Sequence, residues 1–549
     1  MAAVTVATRV AEEMRCSVGE EVGYSIRFED KTSARTRIKF LTDGLLLREA
    51  LVDPLLSRYS IIMVDEAHER SLSTDILLGI LKKIKKKRPE LRIIISSATL
   101  QAENVASFFV EGDKDTDCKI ISIEGRAFPV DTLYLECPAE DYVEKAVQVA
   151  CEIHLNELNG DILVFLSGRE EIETAIQLLS ERAAKLNSKA MALLPLPLYA
   201  GLTTDEQMYV FEPAPENTRK VVFSTNIAEA SVTIDGIAYV IDAGFAKLRA
   251  YNPRTGIDVL TAVPISKASA IQRAGRAGRT KPGKCFRLYT EEAFSRLPVS
   301  AVPEIQRSNL ASVVLQLKAL GIDNIARFNF ISSPPSQLVV RALELLYSLG
   351  AVDDYAKLTK PLGIRMAELS VEPMMGKVLL SASSFGCLSE ILSIAAMTSL
   401  QGSVWFHHEG EKKTIHASRH KFAVEEGDHL TLLNVYHAFV TKGHKDPKWC
   451  RDNHLNHKSM LRAVSIRAQL KRYLERFGLS VDESLSSSGT KSYPDGAEKA
   501  KQIRRCLTAG YFAHAARMQP DGTFKSVSGG LTMHAHPTSL MFVSNGCLD

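Results

Sequence analysis

The chain has 549 residues, which at roughly 100–200 residues per domain predicts about three to five domains. Hydrophobic residues make up 45% and charged residues 24%, ordinary values for a soluble globular protein, and no apolar run approaches the ~18 residues that a membrane span needs. The net charge of +3, from 67 basic and 64 acidic residues, permits a nucleic-acid partner without arguing for one. The N-terminus shows no secretory signal pattern, and the nine cysteines form no C-x-x-C pair, so we expect reduced thiols in the cytosol or nucleus.

Short apolar runs alternate with helical patterns between Arg37 and Cys285. One intervening segment, "SLSTDILLGILKKIKKKRP", spaces its apolar residues along one face of a helix. Strands that alternate with helices predict an α/β fold with two parallel sheets, each covered on both faces, and ligands in such sheets sit at the carboxyl ends of the strands. The five predicted strands lie in "SIIMVDEAH", "LRIIISSAT", "DILVFLSG", "RKVVFSTN" and "IAYVIDAG".

The second half of the chain has a different character. From about 303 to 400 the patterns are mostly helical, and "SNLASVVLQLKALG" predicts a helix that ends at Gly321. The polar stretch "DESLSSSGTKSYPDG" is typical of a loop or linker. Alternation of period two in "YFAHAARM", "GTFKSVSG" and "LTMHAH" predicts a small β-domain near the C-terminus. The apolar face of the predicted helix consists of Leu310, Val313, Val314 and Leu317.

The stretch "IIMVDEAHER" ends an apolar run on charged residues. A buried strand that finishes on Asp65 and Glu66 fixes two carboxylates at the edge of a sheet. Phosphoryl transfer needs a metal that neutralises charge and a group that positions the attacking water. We therefore assign Asp65 to magnesium, through a water molecule, and Glu66 to the attacking water. A lone Asp-Glu pair is also typical of a solvated turn, so the pair does not decide the function alone.

Two further motifs follow predicted strands. The turn "SSATL", with Ser97 and Thr99, could couple to the metal site, although such turns are common at strand ends. The segment "QRAGRAGR" interleaves three arginines and a glutamine with glycine and alanine, whose small side chains allow close backbone approach. Arginines aimed at developing phosphate charge serve as arginine fingers. Arginines that merely pair with surface acids would not need small residues between them, so we favour the phosphate-binding interpretation.

Two segments supply groups that suit a nucleic-acid backbone. "STNIAEASVTIDG" places hydroxyls and an amide at another strand end, which suits backbone phosphates or the coupling of two sites. "FLTDGLLLRE" places Thr42-Asp43-Gly44 before a helix, whose free backbone amides can hold an anion. Either segment taken singly is equally typical of a helix cap.

The order of these motifs resembles that of the DEAH-box RNA helicases of superfamily two. The motifs run "TDGLLLRE", "DEAHER", "SAT", "FLSGREEIE", "STNIAEASVTIDGI" and "QRAGRAGR". Downstream, "GDHLTLLNVYHAF" and "WCRDNHLNHKSMLRAVSIRAQL" are similar to the family's helical domain, and "RRCLTAGYFAHAARM" is similar to the start of its oligonucleotide-binding (OB) barrel. The resemblance covers almost the whole chain and is strongest to spliceosome-associated members.

The resemblance implies a fold of two RecA-like parallel-sheet lobes, followed by a winged helix, a helical bundle and a truncated OB-like β-domain. A hairpin that separates nucleic-acid strands is implied at about 245–260. The implied domain limits are 1–129 for the first lobe, 130–302 for the second lobe, 303–373 for the winged helix, 374–485 for the bundle and 486–549 for the β-domain.

The resemblance also implies an ATP site with Mg²⁺ between the two lobes. His68 would couple the carboxylates of Asp65 and Glu66 to the second lobe. The γ-phosphate would face three residues of "QRAGRAGR", which are Gln272, Arg276 and Arg279.

The remaining implied roles concern adenosine and RNA. Single-stranded RNA would be bound through its backbone, spliceosomal proteins or a helicase-activating protein would be partners, and the nucleus, with the cytoplasm as alternative, would be the location. Arg9 and Phe211 would stack the adenine, Asp235 would meet the ribose, and Thr42, Thr225 and Asn226 would contact the RNA backbone.

The sequence contains no phosphate loop of the form G-x-x-x-x-G-K-[ST]. Neither Gly-Lys pair, at 283–284 and 376–377, is followed by Ser or Thr. Family members carry the loop upstream of the segment that resembles "AAVTVATRVAEEM", and their barrel continues beyond "MFVSNGCLD". Without the loop's amides, lysine and hydroxyl, Glu66 has no positioned substrate, and the first sheet loses a strand beside its core. We therefore expect this chain by itself to hydrolyse ATP poorly or not at all.

Three functions remain open at this point. The motif order favours an ATP-dependent RNA helicase, with splicing as the implied process. The missing loop favours a non-catalytic RNA-binding or scaffold protein. A DNA helicase is the third hypothesis, because these motifs contact the sugar-phosphate backbone and not the base edges.

Overall fold

A computed structural model shows an α/β half, a helical region and a small antiparallel sheet, in that order along the chain. No helix in the described part of the chain is both long and apolar enough to cross a membrane. The structure describes residues 2–27, 29–98, 102–110, 118–123, 125, 128–185, 191–202, 204–229, 233–400, 404–405, 418–481, 496–536 and 539–540.

The first lobe contains two small sheets. Its elements are α1 (Ala2–Glu13), β1 (Val22–Ile26), β2 (Glu29–Lys31), β3 (Ile38–Leu41), α2 (Asp43–Val52), β4 (Ile61–Val64), α3 (Leu72–Lys87), β5 (Arg92–Ile95) and α4 (Ala102–Phe109). β1 pairs with β2 antiparallel and with β3 parallel, whereas β4 and β5 pair in parallel only with each other among the described strands. β4 and β5 confirm the strands predicted in "SIIMVDEAH" and "LRIIISSAT".

The expectation that this lobe has one sheet covered on both faces was wrong. One face of β4 packs on α3 through Ile62 and Val64, which are almost fully buried. On the opposite face of the β4–β5 pair the side chains of Ile61, Met63 and Ile94 remain 53%, 60% and 48% exposed. Successive strand residues point to opposite faces, so these three side chains belong to the second face. Their exposure shows that no described element covers it.

The second lobe is built around a six-stranded sheet. Its elements are β6 (Val130–Tyr134), α5 (Tyr142–Asn156), β7 (Asp161–Phe165), α6 (Arg169–Ala183), β8 (Ala192–Leu198), α7 (Thr204–Met208), β9 (Thr218–Ser224), β10 (Ile237–Asp242), β11 (Phe245–Asn252), β12 (Ile257–Pro264), α8 (Lys267–Ala274), β13 (Gly283–Arg287) and α9 (Glu291–Arg296). The strand order is β6-β13-β10-β7-β9-β8, and every pair is parallel.

Both faces of this sheet are covered. One core joins the sheet to α5 and α6, and a second core joins it to α8 and the turn around Val210. β7, β9 and β10 are therefore buried along almost their whole length, which explains why each reads as a continuous apolar run. The strands predicted in "DILVFLSG", "RKVVFSTN" and "IAYVIDAG" are confirmed.

A two-stranded hairpin leaves the second lobe after β10. β11 and β12 pair antiparallel from Phe245 with Pro264 to Asn252 with Ile257. Arg307 holds the hairpin from outside, since its Nη1 donates to the Arg249 oxygen at 2.8 Å and its own oxygen accepts from the Tyr251 amide at 2.6 Å. The hairpin occupies the segment where a strand-separating element is implied, and that function stays a prediction.

A half-buried histidine near the end of α5 makes the second lobe sensitive to acid. Nδ1 of His154 is buried and makes no hydrogen bond with the described residues. Burial lowers the pKa of His154 below its ordinary value, and the neighbouring charge of Arg219 lowers this pKa further. The unfolded chain therefore binds a proton at this histidine at a higher pH than the folded chain does.

We expect the free energy of unfolding to fall as the pH drops below about 6.5 towards the lowered pKa of His154. Replacing His154 with Gln should remove up to one proton from this dependence, at most about 1.4 kcal/mol per pH unit. Urea unfolding at several pH values between 7.5 and 5 measures the slope. The exposed His444, replaced by Gln, is the matched control; an unchanged slope in the His154 variant would contradict the assignment.

The region after the second lobe shares a core with the first lobe. Its helices are α10 (Ala311–Ala319), α11 (Ser336–Ser348) and α12 (Leu362–Glu368). Apolar residues of α3 and β4 pack with those of all three helices in a single cluster. α10 confirms the helix predicted in "SNLASVVLQLKALG", because its four predicted core residues are buried and Gly321 follows with φ +79°.

A close contact between α3 and the segment around Phe328 allows this shared core to be tested by mutation. A Cβ added to Gly79 of α3 would lie 2.5 Å from Phe328 Cζ and 2.7 Å from the Asn329 oxygen. Gly79→Ala should therefore destabilise the protein by about 1–3 kcal/mol, the usual cost of overpacking. Gly44→Ala in α2 is the matched control, since its nearest neighbour would be Ser73 Oγ at an ordinary 3.6 Å. Urea unfolding measures the stability of both variants. Equal free energies of unfolding for the two would contradict the close contact at Gly79.

A helical bundle and a small sheet complete the described chain. The bundle contains α13 (Pro373–Ser381), α14 (Leu388–Thr398), α15 (Asp428–Ala438), a π-helical turn (Phe439–Gly443), α16 (Pro447–Asp452), α17 (His457–Arg476) and α18 (Gly496–Tyr511). The sheet consists of β14 (Ala516–Met518), β15 (Phe524–Ser526) and β16 (Thr532–Met533), all antiparallel.

The start of the β region differs from the prediction. "YFAHAARM" was expected to be a strand, but α18 runs to Tyr511 and a 3₁₀ turn follows before β14. The reason is that Ile503, Cys506 and Gly510 pack α18 against the bundle at helical spacing, and this packing outweighs the local alternation. The five predicted domain limits stay predictions.

Candidate functional site

The carboxyl end of β4 carries the first half of the site. Asp65 and Glu66 follow the strand directly, and Asp65 Oδ1 accepts a hydrogen bond from the Glu66 amide at 2.9 Å. Glu66 has φ +51°, a left-handed conformation that costs a non-glycine residue about 1–3 kcal/mol. The turn is held because the Ala67 amide donates to the Ser96 oxygen at 3.0 Å and the Ser96 amide donates to the Val64 oxygen at 2.8 Å. The ends of β4 and β5 are therefore fixed together.

His68 joins Glu66 to the turn after β5. Its Nδ1 accepts a hydrogen bond from the Ala98 amide at 3.2 Å and lies 3.4 Å from Glu66 Oε2. These contacts are within the first lobe, whereas the implied role of His68 is coupling to the second lobe, and that role stays a prediction. Ser97 is exposed in the same turn, and Thr99 lies outside the described residues.

Arg70 was not predicted as a site residue. It ties the turn that follows β4 to α3. Its Nε and Nη2 donate to the two carboxylate oxygens of Asp75 at 2.6 and 2.9 Å, and Nη2 also donates to Ser332 Oγ at 2.9 Å. Asp75 is fully buried in α3. An acidic residue on the apolar face of a helix, five positions after an arginine, is the sequence signal that could have revealed this bidentate pair.

The second half of the site follows α8. Nη2 of Arg276 donates to the Glu229 oxygen, and Nη1 of Arg279 donates to Thr233 Oγ1. Burial, and then the charge of Arg279, lower the pKa of Arg276 to about 10, while Glu66 and Glu229 oppose this. Burial likewise lowers the pKa of Arg279, while Glu66 and Asp235 oppose this. The Glu66 carboxylate of the first lobe therefore favours the charged form of both guanidinium groups of the second lobe.

The first arginine of "QRAGRAGR", Arg273, forms a buried network that the sequence did not reveal. Its Nη1 donates to Asp242 Oδ1 at 2.7 Å, its Nε donates to Glu229 Oε2 at 3.1 Å, and the guanidinium lies 4.8 Å from the Phe165 ring centroid. Arg273 and Asp242 are completely buried. Burial alone would lower the pKa of Arg273, but Asp242 and Glu229 raise it above its ordinary value. Arg273 therefore ties α8 to the end of β10. Because its guanidinium is completely buried and bonded to these two carboxylates, it is not exposed to bind a nucleotide.

The residues assigned to adenosine are not brought together by described contacts. Arg9 is exposed on α1, and its Nε donates to Glu13 Oε1 at 2.8 Å. Phe211 is half-buried and packs on a second-lobe core, and Asp235 is exposed beside Gly236. Among the described residues no hydrogen bond, ion pair or ring contact joins Arg9 to either of them. Gln272 is half-buried, and its assignment, like these three, stays a prediction.

The residues assigned to RNA lie at the ends of β3 and β9. Thr42 is exposed and begins α2; the next residue, Asp43, accepts a hydrogen bond from Thr74 Oγ1, and burial raises the pKa of Asp43. Thr225 is half-buried and Asn226 is exposed in the 3₁₀ turn after β9. Their positions at strand ends agree with the expected edge of each lobe, and their contacts with RNA stay predictions.

The site partly fits a nucleotide with magnesium. Asp65 is exposed at its strand end, and no group of three or more His, Cys, Asp or Glu in the described ranges is placed to hold a metal ion. A single carboxylate suits a magnesium ion whose other ligands are water and phosphate. The lysine and hydroxyl that a phosphate loop contributes are absent from this sequence.

Comparisons with known proteins agree with this geometry. The protein named "Probable ATP-dependent RNA helicase DHX35" from Homo sapiens is 52% identical over 550 residues, which cover 99% of this chain and 76% of that protein. The chain belongs to the DEAH-box family of ATP-dependent RNA helicases. A homologue of the same protein from Caenorhabditis elegans is 48% identical and covers 99% of this chain and 73% of its own length.

Three family models match parts of this DEAH-box chain. Residues 145–281 match the helicase conserved C-terminal domain, which includes "QRAGRAGR". Residues 342–371 match the winged-helix part and residues 372–432 the ratchet-like part of the helicase associated domain HA2.

A solved structure supports the DEAH-box fold. The crystal structure of the Escherichia coli DExH-box NTPase HrpB matches with a TM-score of 0.73 and 28% sequence identity, over 97% of this chain. The chain spans 57% of the length of that protein. The prediction of RecA-like lobes followed by helical domains is confirmed.

Proposed function

We propose that the protein couples ATP hydrolysis to the unwinding of RNA or the remodelling of RNA–protein complexes. The observation that carries this proposal is the fixed turn after β4, which holds Asp65 and Glu66 at the strand end, together with the opposing effect of the Glu66 charge on the lowered pKa of Arg276 and Arg279. Carboxylates of one lobe and arginines of the other lobe are the kinds of group that hold magnesium and bind a polyphosphate.

The proposed roles follow from the positions of the side chains. Asp65 would hold magnesium through water, and Glu66 would orient the attacking water. Arg276 and Arg279 would bind the γ-phosphate from the second lobe. The bound magnesium ion would supply neutralisation of the phosphate charge. Residues Ala67 and Ser96 keep the carboxylates in place through the backbone bonds of the strand ends.

Two half-buried arginines at the junction of the first lobe with the helical region support binding of RNA. Nη2 of Arg27 donates to the Ser370 oxygen at 2.5 Å, and Nη2 of Arg48 donates to the Leu369 oxygen at 3.4 Å. Burial lowers the pKa of Arg48, Arg27 lowers it further, and Glu372 opposes this. Arginines that repel one another are relieved by an added phosphate, so this junction of the first lobe with the helical region suits a nucleic-acid backbone.

RNA binding can be tested at the second-lobe strand end. The double change Thr225→Ala/Asn226→Ala should weaken binding of a single-stranded oligouridylate about tenfold, since it removes up to two phosphate contacts of about 1 kcal/mol each. Fluorescence anisotropy measures the dissociation constants. Thr174→Ala, an exposed change on α6, is the control. Equal affinity for DNA of the same sequence would favour a DNA helicase, and an unchanged affinity in the double variant would remove these residues from the RNA path.

We propose further that the 549-residue polypeptide by itself hydrolyses ATP poorly, because its sequence contains no phosphate loop. The same observation favours a second candidate function, a non-catalytic RNA-binding or scaffold role. RNA affinity that is the same with and without ATP and magnesium would support the scaffold. RNA affinity that changes severalfold with nucleotide would support the helicase.

We propose the nucleus as the location, with the cytoplasm as alternative, and pre-mRNA splicing as the process. The resemblance to spliceosome-associated helicases supports this proposal, and spliceosomal proteins or an activating protein would be the partners. Imaging of the tagged protein, together with sequencing of the RNA cross-linked to it, would test it. A cytoplasmic protein without spliceosomal RNA would contradict it.

A further inference from the structure

An open groove runs along the outer face of α18. It has a volume of about 730 Å³ and is formed by α18, the 3₁₀ turn that follows it and the loop between α13 and α14. We call it the α18 groove and define it by Phe385, Lys501, Arg504, Arg505, Thr508 and Phe512.

The groove lies on a fixed platform. The opposite face of α18 packs Ile503 and Cys506 into the bundle core, and a Cβ on Gly510 would collide with the Met374 oxygen of α13. Nζ of Lys499 donates to the Gly386 oxygen at 2.7 Å and pairs with Glu390 at 3.3 Å, which ties the loop carrying Phe385 to α18. The shape of the groove is therefore set by the fold and does not depend on a ligand.

The two arginines of the groove lack acidic partners among the described residues. Among the residues that the structure describes, the side chains of Arg504 and Arg505 make no ion pair or hydrogen bond, and both are exposed. Lys501 pairs with Glu498 at 3.7 Å, and both side chains are more than half exposed, so the pair contributes little. Exposed arginines that no carboxylate neutralises attract a negatively charged partner.

The uncharged side chains of the groove indicate which chemical class of partner fits it. The groove offers the rings of Phe385 and Phe512 and, as a neutral polar side chain, Thr508. Thr508 is the one lining side chain that can accept a hydrogen bond, so the amino groups of nucleotide bases placed there would find few acceptors. An aliphatic or aromatic side chain of a peptide would instead bury apolar surface against the rings.

We propose that the α18 groove docks an acidic segment of a partner protein. Carboxylates of the segment pair with Lys501, Arg504 and Arg505, and an apolar side chain sits between Phe385 and Phe512. Lys501 on α18 and Phe512 in the 3₁₀ turn that follows are eleven positions apart, about 16 Å at 1.5 Å per residue. That length accommodates about five residues of an extended peptide or about three turns of a helix.

The test uses a fluorescent peptide of alternating Glu and Leu, the same peptide with Gln in place of Glu, and an oligouridylate. We expect the full chain to bind the Glu peptide at least about tenfold more tightly than the Gln peptide, with an affinity that falls as salt is raised. Arg504→Glu/Arg505→Glu should weaken the Glu peptide at least about tenfold and the oligouridylate less than about twofold. Lys83→Glu/Lys87→Glu, an equal charge change on exposed residues of α3, is the matched control.

Two further variants keep the proposal falsifiable. Arg504→Gln/Arg505→Gln removes the charges without reversing them, and Phe512→Ala removes one ring of the groove; both should weaken the Glu peptide and leave the oligouridylate unchanged. Equal affinity for the Glu and Gln peptides would overturn the proposal. So would a loss of oligouridylate affinity in the arginine variants that matches their loss of peptide affinity, because the groove would then be an RNA site.

Discussion

Replacing Arg273 with Met should destabilise the second lobe by about 3–5 kcal/mol. Asp242 would remain completely buried and lose the cation at 2.7 Å, although Tyr289 Oη and the Gly244 amide would still donate to it at 2.9 Å each. Breaking a buried pair is costly because the remaining charge has no compensation, whereas removing both charges costs much less.

The double variant Arg273→Met/Asp242→Asn tests this reason. The asparagine carbonyl can still accept from the Gly244 amide, its NH2 group can donate to the Tyr289 hydroxyl oxygen, and the side chain carries no charge. The double variant should therefore be more stable than Arg273→Met alone. Arg9→Met, a change at an exposed ion pair of α1, should cost less than about 0.5 kcal/mol. Urea unfolding monitored by circular dichroism gives the free energies. A double variant as unstable as the sum of its single variants would show that Arg273 and Asp242 are not coupled.

The second large effect concerns turnover of ATP. When the chain is extended at its N-terminus by the phosphate-loop segment of a family member, RNA-stimulated hydrolysis should become measurable. Arg276→Ala in that extended chain should lower kcat about a thousandfold, because an arginine that faces the γ-phosphate stabilises the charge of the transition state. Phosphate release measured at saturating ATP and RNA gives kcat.

Arg169→Ala is the control for the turnover experiment. Arg169 is an arginine of the same lobe, on α6, and its Nε pairs with Glu173 Oε1 at 2.6 Å. This variant should keep kcat within about twofold. If Arg276→Ala also leaves kcat unchanged, Arg276 does not face the γ-phosphate.

The sequence predicted the parts of the molecule in which local pattern and tertiary environment agree. β7, β9 and β10 were identified because strands buried on both faces read as continuous apolar runs. Asp65 and Glu66 were identified because a buried strand that ends on charged residues fixes them in position, as a functional site requires. The positions of Arg276 and Arg279 relative to Glu66 follow from a motif order that resembles a known family.

Other features depend on pairs that are distant in sequence. Arg273 looked like the two arginines beside it, and only its contact with Asp242, 31 residues earlier, shows that it is structural. Arg70 likewise depends on Ser332, 262 residues later. The strand predicted in "YFAHAARM" was placed too early, because the packing of α18 on α13 cannot be inferred from a local alternation of period two.

The most direct test of the account is ATP turnover by the purified 549-residue chain, measured with and without RNA beside its Glu66→Gln variant. We predict hydrolysis close to background in both proteins, although RNA still binds. Robust RNA-stimulated turnover that Glu66→Gln abolishes would contradict the proposed impairment and show that the chain is an active ATPase without the loop.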